Sequence, residues 1–197
     1  MKTPEESIAI KEVADEQLHT LLRKRWSARS FSTEPIAEDI LAVLFKAASW
    51  APSAMNEQPW NYIYATKEDK EGFAKLFDLL AVGNQLWVKN AAVIVLCYTN
   101  TVYQKSGEVN NNAFHDAGLA NENLVLQAVS MNIYGHMMEG FNKTAAKSVF
   151  SLKETQQPVC MIALGHLAAA EALEEPFLGR ELAPRVRKTL DEFVKKA

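Results

Sequence analysis

Residues 51–60 read Ala-Pro-Ser-Ala-Met-Asn-Glu-Gln-Pro-Trp and carry the strongest signal in the chain. Proline fixes its own φ angle and biases the preceding residue toward extended geometry, so Pro52 and Pro59 stiffen the segment between them. That segment holds three neutral hydrogen-bonding side chains, those of Ser53, Asn56 and Gln58. A helical pattern precedes it and a strand-like run follows it. A stiff polar loop held between two packed elements suits the edge of a flat heteroaromatic ring.

A second polar group lies upstream, in Arg25-Trp26-Ser27-Ala28-Arg29. Two guanidinium groups and a hydroxyl within five positions suit an anionic phosphate, because guanidinium N–H groups donate charge-assisted hydrogen bonds in a fixed fork. Together with the proline-bracketed loop, they indicate a bound nucleotide-like cofactor. Taken alone, the two arginines could instead cap the preceding helix, since cations favour helix C-termini.

Composition indicates a globular protein and excludes several classes of partner. The 197 residues are enough for one domain with a substantial core, and 48% of them are hydrophobic. A net charge of −3 argues against nucleic-acid binding, because no basic face offsets the acids. No apolar run approaches the roughly 20 residues needed to cross a bilayer, so we expect no membrane partner.

Two cysteines, Cys97 and Cys160, each lie inside an apolar run, which predicts reduced, buried thiols. The first residues, 1–6, lack the basic and apolar regions of a signal peptide. We therefore expect a cytoplasmic protein. The four histidines lack metal-ligand spacing, so no metal site is predicted.

Hydrophobic periodicity predicts helices and strands in irregular alternation. The predicted helices cover residues 12–25, 38–50, 111–131 and 142–150, and Thr66-Lys67-Glu68-Asp69 resembles a capping box that begins another. The predicted strands cover residues 61–65, 91–98 and 159–164. The apolar, β-branched strand 91–98 is expected to be central. This alternation favours an α+β or α/β fold with one mixed sheet.

The longest predicted helix has small residues at its inner positions, namely Ala113, Ala117, Gly118, Ala120 and Ala128. Small residues let another helix approach closely, so this helix is predicted to lie at a subunit interface. It also contains His115-Asp116, which we discount as an acid/base pair because adjacent helix positions point in different directions.

Motifs of several enzyme classes are absent from the sequence. It contains no G-x-G-x-x-G or G-x-x-x-x-G-K-S/T phosphate loop and no G-x-S-x-G nucleophile elbow. No catalytic side chain is therefore predicted, which is consistent with chemistry that belongs to a cofactor.

Four motifs occur in a fixed order, and in combination they carry a family resemblance. They are Arg25-Trp26-Ser27-Ala28-Arg29-Ser30-Phe31, the loop 51–60, Met138-Glu139-Gly140-Phe141-Asn142 and Arg185-Val186-Arg187. The chain resembles the FMN-dependent nitroreductase family over residues 15–197. The resemblance implies an α+β fold, a sandwich around a mixed but mostly antiparallel central sheet flanked by helices, built as an intertwined homodimer. Residues 1–14 would be an N-terminal extension, and 15–197 a single FMN-binding domain.

The resemblance also implies which residues bind FMN. One subunit would contribute Arg25, Trp26, Ser27 and Arg29, of which Arg25 and Ser27 would lie near the phosphate and ribityl end and Arg29 near the pyrimidine edge. Trp26 could equally be a core or interface residue. The tail would complete the phosphate site with Arg185 and Arg187. The partner subunit would contribute Pro52, Ser53, Ala54 and Asn56.

The remaining implied contacts lie at the flavin ring. Glu139 and Gly140 would present backbone N–H groups toward flavin N5, and the Asn84 amide would bond the ring edge. Trp87 occupies a position where related sequences often carry a lysine, so a second cation near the flavin is in doubt.

The implied reaction is a ping-pong transfer of electrons from NADH or NADPH, through FMN, to a small planar acceptor such as a nitroaromatic or a quinone. The choice of acceptor would depend on a pocket formed by residues 100–115 and 136–138. Two alternatives are a non-enzymatic FMN-binding or storage protein and other flavin chemistry, such as dehalogenation, on the same scaffold. The sequence does not distinguish NADH from NADPH.

Overall fold

A four-stranded antiparallel sheet organises residues 3–197, which are the residues that the computed structural model describes. The strands are β1 (Trp60–Thr66), β2 (Val93–Asn100), β3 (Tyr134–Met138) and β4 (Gln156–Gly165), in the spatial order β1-β2-β4-β3. Within residues 3–197 all three strand pairings are antiparallel. Because β2 and β4 lie inside the sheet, the prediction that residues 91–98 form a central strand is confirmed.

Helices flank this sheet, which confirms the predicted α+β class. Residues 3–197 contain α1 (Pro4–Lys11), α2 (Thr20–Lys24), α3 (Glu38–Ala48), α4 (Lys70–Phe77), α5 (Val82–Val88), α6 (Ala113–Ser130), α7 (Lys143–Val149) and α8 (Phe177–Leu182). Short 3₁₀ turns occupy Ala54–Asn56, Ala170–Ala172 and Leu190–Glu192. No helix in this part of the chain is long and apolar enough to cross a membrane.

Both faces of the sheet are buried, and successive side chains of its inner strands point alternately to the two faces. On β2, Ile94 and Leu96 pack into a first core cluster, which also contains residues of α4, α5 and the segment 26–31. Val93 and Val95 point to the opposite face and pack into a second core cluster with residues of α3 and α6. The sheet therefore separates two groups of elements, each of which carries part of the predicted site.

The small residues of α6 pack inside the protomer. Ala113, Ala117, Ala120 and Ala128 are completely buried within a single chain. Their short side chains let α6 lie against α3 and the sheet, and the Asn123 amide reaches the Ala47 carbonyl at 3.4 Å. Packing within the chain therefore accounts for these alanines, while Gly118 and Phe114 of the same helix are exposed, so the predicted interface role of α6 stays a prediction.

The N-terminal helices differ from the prediction. The helical pattern predicted over residues 12–25 is helical only in α2, while α1 was not predicted. Thr3 and Glu6 form a reciprocal capping box and Pro4 follows the cap directly, so the signal for α1 is present in the sequence. Similarly, Asp69 rather than Thr66 caps α4, through a 3.0 Å bond from the Gly72 N–H.

Gly135 tests how tightly α6 packs on the sheet. A Cβ atom at this position would lie 2.7 Å from Val125 Cγ1 and 3.2 Å from Leu164 Cδ2, both in completely buried side chains. We predict that Gly135→Ala lowers the free energy of unfolding by about 1–3 kcal/mol, because added volume strains a close-packed core. Chemical denaturation measures this change. Gly83→Ala is the control, since its Cβ would meet nothing within 4 Å; equal effects of the two substitutions would contradict the packing argument.

Candidate functional site

The segment Arg25–Phe31 alternates between buried and accessible side chains. Trp26, Ala28 and Phe31 are buried in the first core cluster, and the Trp26 ring lies 4.4 Å from that of Tyr134. Ser27 is exposed, while Arg25 and Arg29 are partly exposed. Within this segment the buried Trp26 and Ala28 alternate with Arg25, Ser27 and Arg29, whose side chains are left accessible.

The two arginines of this segment have different surroundings. Arg25 Nε lies 3.5 Å from Glu122 Oε1 on α6. The Arg29 guanidinium lies 5.8 Å from the centre of the Trp87 ring, a distance typical of a cation–π contact. Burial lowers the pKa of Arg29, and the nearby Glu181 carboxylate opposes this shift. Both cations remain available to an anion because neither forms a bidentate pair with a carboxylate among residues 3–197.

The C-terminal segment brings Arg185 close to Arg25. Arg185 donates from Nε to the Lys11 carbonyl (2.6 Å) and from Nη1 to the Arg25 carbonyl (2.5 Å). It also bonds the Leu22 and Arg23 carbonyls, at the C-terminal end of α2, where helix carbonyls lack intrahelical partners. These contacts leave one of its five N–H groups unused.

Arg25, Arg185 and Arg187 form a cluster of like charge. Burial lowers the pKa of Arg185, and the charges of Arg25 and Arg187 lower it further. Arg187 itself is exposed and donates only to the adjacent Val186 carbonyl. Like charges held this close disfavour one another unless an anion lies between them. The cluster is therefore suited to a phosphate.

The loop Pro52–Asn56 is held rigidly, as its sequence predicts. Its Ala54 N–H donates to Asp116 Oδ2 at 2.9 Å, and Ser53 Oγ accepts the Gln58 N–H at 3.0 Å. Met55, Asn56 and Gln58 have φ angles of 56°, 55° and 50°, in the left-handed region that non-glycine residues rarely adopt. Such backbone persists only where its surroundings fix it.

Asp116 is a structural anchor that the sequence analysis missed. It is 2% exposed, and its second oxygen lies 3.1 Å from His115 Nδ1. The expectation that these neighbours point apart is thus wrong, because α6 has just begun at Ala113 and both side chains lie on its first turn. Their contact supports the loop Pro52–Asn56.

The turn at Glu139 and Gly140 presents free backbone donors. Neither N–H donates to another backbone group within residues 3–197. The Gly140 carbonyl accepts from Asn84 Nδ2 (3.0 Å) and from the Ala81 N–H (2.9 Å). A Cβ at Gly140 would lie 2.9 Å from Asn84 Nδ2, so glycine allows this close approach. The Glu139 carboxylate is directed to Lys143 Nζ at 2.6 Å.

Trp87 and His136 connect this turn to the arginine segment. Their rings lie 4.6 Å apart, Trp87 lies beneath Arg29, and the Ala28 carbonyl accepts from His136 Nδ1 at 3.0 Å. Trp87 is 2% exposed, so the position where relatives often carry a lysine is filled here by a core residue. The predicted ligands at 25–29 and 139–140 thus lie on one face of the sheet.

The loop Pro52–Asn56 lies apart from these ligands in a single protomer. Ala51, at its start, belongs to the second core cluster, whereas Ala28 and Trp87 belong to the first. Among residues 3–197, no hydrogen bond joins this loop to the arginine segment or to the Gly140 turn. The predicted ligands therefore fall into two groups, which contact different core clusters.

His136 makes the stability of this region depend on pH. Burial, and then the charge of Arg29, lower the pKa of His136 from its ordinary 6.5 to about 4, against the opposing hydrogen bond to Ala28. Because the unfolded chain binds this proton more tightly, we predict that the free energy of unfolding decreases as pH falls from about 6.5 to about 4, by on the order of 2–3 kcal/mol. Denaturant unfolding at several pH values measures this loss.

The matched variant is His136→Asn, since its amide can still donate to the Ala28 carbonyl but does not titrate. It should lose this part of the pH dependence, whereas the exposed His115→Gln control should keep it. An unchanged profile in His136→Asn would contradict the assignment.

Comparisons with known proteins show which family the chain resembles. The model of the Nitroreductase family matches residues 22–84 and 78–166. A solved oxidoreductase containing FMN is 29% identical, with a TM-score of 0.82 over 89% of this chain and 90% of its own. The Bacillus subtilis (strain 168) protein named "Putative NAD(P)H nitroreductase YodC" is 26% identical over 74% of this chain and 87% of its own.

The fold recurs at lower identity. A Desulfovibrio desulfuricans structure described as a "putative nitroreductase in complex with fmn" is 21% identical, with a TM-score of 0.70 over 90% of this chain and 94% of its own. The family match covers more than half of the chain, in the region that contains the arginine segment, the Pro52–Asn56 loop and the Gly140 turn. The chain belongs to the nitroreductase family.

Proposed function

We propose that the protein is an FMN-dependent oxidoreductase that transfers electrons from NADH or NADPH to a small planar acceptor. The observation that carries this proposal is the cluster of arginines, in which Arg185 Nη1 donates to the Arg25 carbonyl at 2.5 Å, together with the free backbone N–H groups of Glu139 and Gly140. The FMN-containing relative supports the choice of cofactor. The absence of a catalytic dyad from the sequence is consistent with chemistry that belongs to a cofactor.

The phosphate end of FMN fits the charged cluster. Arg25 and Arg187 have accessible guanidinium groups, Arg185 retains one free N–H, and the Ser27 hydroxyl is exposed beside them. A phosphate dianion would relieve the repulsion that these cations exert on one another. Trp26, by contrast, is 3% exposed and supports this group from the core.

The ring end fits the Gly140 turn. Free N–H groups at Glu139 and Gly140 could bond the flavin edge, and the lack of a Cβ at Gly140 lets the Asn84 amide approach and fix the turn. Asn84 keeps its amide oxygen free while its Nδ2 supports the turn. When bound, FMN supplies the electron-transfer chemistry, and the protein supplies orientation and charge. Arg29 would stabilise negative charge at the pyrimidine edge, an interaction worth about 1.5–3 kcal/mol for a charge-assisted hydrogen bond.

A homodimer would complete the site. The loop Pro52–Asn56 is rigid, yet it lies away from the arginines of its own protomer. Large apolar side chains around it are exposed, including Met55 (88%), Trp50 (79%) and Phe114 (50%). Exposed apolar patches of this kind mark interaction surfaces. We infer that the loop contacts the flavin bound by the partner subunit.

The acceptor would bind beside the same loop. An open groove of about 690 Å³ lies between Met55 and Glu57 on one side and Tyr103, Lys105 and Glu108 on the other. The Gln104 N–H donates to Glu57 Oε1 at 2.6 Å, which ties the two walls together. The groove is large enough for a small aromatic ligand, since such sites usually measure about 300–1,000 Å³. A planar acceptor that replaces the oxidised nucleotide here would give ping-pong kinetics.

We infer a cytoplasmic location from the two thiols. Cys97 and Cys160 face each other across β2 and β4 as free thiols, which favours a reducing compartment such as the cytoplasm.

The first test is anaerobic reduction. We predict that the protein reconstituted with FMN is yellow and loses this colour when mixed with NADH or NADPH, and that a quinone or nitroaromatic restores it. Visible absorption measures both steps. Bound flavin that neither nucleotide reduces would indicate an FMN-storage protein, and a protein that cannot be loaded with FMN would exclude the whole proposal.

The second test concerns the dimer. We predict a dimer in sedimentation velocity, and we predict that Met55→Glu weakens both self-association and FMN binding at least about ten-fold, because a charge would be buried at the interface. The matched control is Val43→Glu, an apolar residue 40% exposed on α3, away from this loop. A monomer that binds FMN with full affinity would contradict the shared site.

A further inference from the structure

We propose that Glu181 is the positioning residue of the FMN phosphate site, which it serves by fixing the Trp26–Arg29 segment. This inference rests on the proposed function, because it concerns how the arginines of that site are held. Glu181 lies on α8, beyond the residues matched by the family model.

Glu181 contacts the segment at two points. Its Oε1 accepts the Trp26 indole N–H at 3.2 Å, and its Oε2 accepts the Arg29 backbone N–H at 3.1 Å. The two donors bracket Ser27 and Ala28 in the sequence. One carboxylate therefore fixes both ends of the Trp26–Arg29 segment.

The burial of this acid argues for a specific role. Glu181 is 1% exposed, and a buried carboxylate costs free energy unless its oxygens are bonded and its charge is compensated. Burial raises the pKa of Glu181, while the bonds from Trp26 and Arg29 and the charges of Lys11 and Arg29 oppose that shift. An apolar side chain would fill this space at less cost, but it could not accept either N–H.

The N-terminal helix holds α8 in place. Lys11, at the end of α1, donates from Nζ to the Arg180 carbonyl (2.8 Å) and the Ala183 carbonyl (2.6 Å), on either side of Glu181. The Arg185 guanidinium then joins the Lys11 carbonyl to the Arg25 carbonyl. These bonds tie α1, α8 and the arginine segment into one unit, which we call the terminal brace.

The terminal brace assigns a function to two helices outside the matched ranges. Residues 22–166 carry the family match, whereas α1 and α8 lie before and after it. Through Lys11, Glu181 and Arg185, both helices act on the same short segment. We infer that they set the orientation of Arg25, Ser27 and Arg29 before FMN binds, so that little ordering remains to oppose binding.

The test is the substitution Glu181→Gln, which replaces one carboxylate oxygen, an acceptor, by an amide N–H₂ group, a donor. In Glu181→Gln the amide N–H₂ must face either the Trp26 or the Arg29 N–H, so one bond is lost while the side-chain volume is kept. Apoprotein is titrated with FMN and with riboflavin, which lacks the phosphate, and its thermal midpoint is recorded. Glu174→Gln is the matched control, because Glu174 is an exposed acid in the same C-terminal segment.

We expect Glu181→Gln to raise the dissociation constant for FMN about ten-fold or more, the size expected for losing a hydrogen bond to a charged group. The dissociation constant for riboflavin should rise less, because Arg25 and Ser27 act on the phosphate. The thermal midpoint of the apoprotein should fall below that of Glu174→Gln, because one buried N–H loses its acceptor, and the FMN affinity of Glu174→Gln should be unchanged.

Wild-type FMN affinity in Glu181→Gln would overturn the inference, as would equal losses for FMN and riboflavin. If Glu181→Gln does not fold, Glu181→Asp keeps the charge but shortens the reach to the two donors, and it should show the same preferential loss of FMN. A wild-type protein that binds neither flavin would instead refute the proposed function.

Discussion

The inward burial of Trp26, Ala28 and Phe31 is the constraint on which the candidate site depends. These residues pack into the core beneath the sheet, and Arg25, Ser27 and Arg29, which alternate with Trp26 and Ala28, remain accessible. The hydrophobic effect that stabilises the fold thus also orients the charged groups. Hydrogen bonds from this segment to Glu181 and from His136 make the orientation specific.

The loop Pro52–Asn56 and the Gly140 turn are likewise held by polar groups of the protein itself. The loop Pro52–Asn56 has left-handed backbone at Met55 and Asn56, and a buried carboxylate on α6 holds it there. The Gly140 turn is fixed by two bonds to its carbonyl, so its N–H groups remain free. In each case one polar group bonds to another part of the protein, and neighbouring polar groups remain free to bind a ligand. Preorganised donors of this kind reduce the ordering that binding requires.

Local sequence patterns predicted the helices and strands whose formation depends on neighbouring residues. The helical patterns of residues 38–50 and 142–150 and the apolar run 91–98 correspond to α3, α7 and β2. The candidate ligands were found through the order of four motifs. Contacts between distant residues were not accessible in this way: nothing near Glu181 or Asp116 in the sequence indicates that each supports a loop more than 60 residues away.

The errors have a similar physical origin. The α6 alanines are buried against α3 and the sheet within one chain, and the small-residue pattern alone does not distinguish this packing from packing on a second subunit. Residues 12–19 share the helical spacing of α2 but are not helical. Short elements such as α5 and β3 exist because tertiary packing stabilises them, and their local signal is weak.

The most direct test of the central claim is a crystal structure of the protein grown with FMN. The arrangement described here predicts phosphate density against Arg25 and Arg187, with the ring between the Gly140 turn of one protomer and the loop 52–56 of its partner. Flavin density elsewhere on the molecule, or a phosphate that contacts none of these arginines, would contradict it.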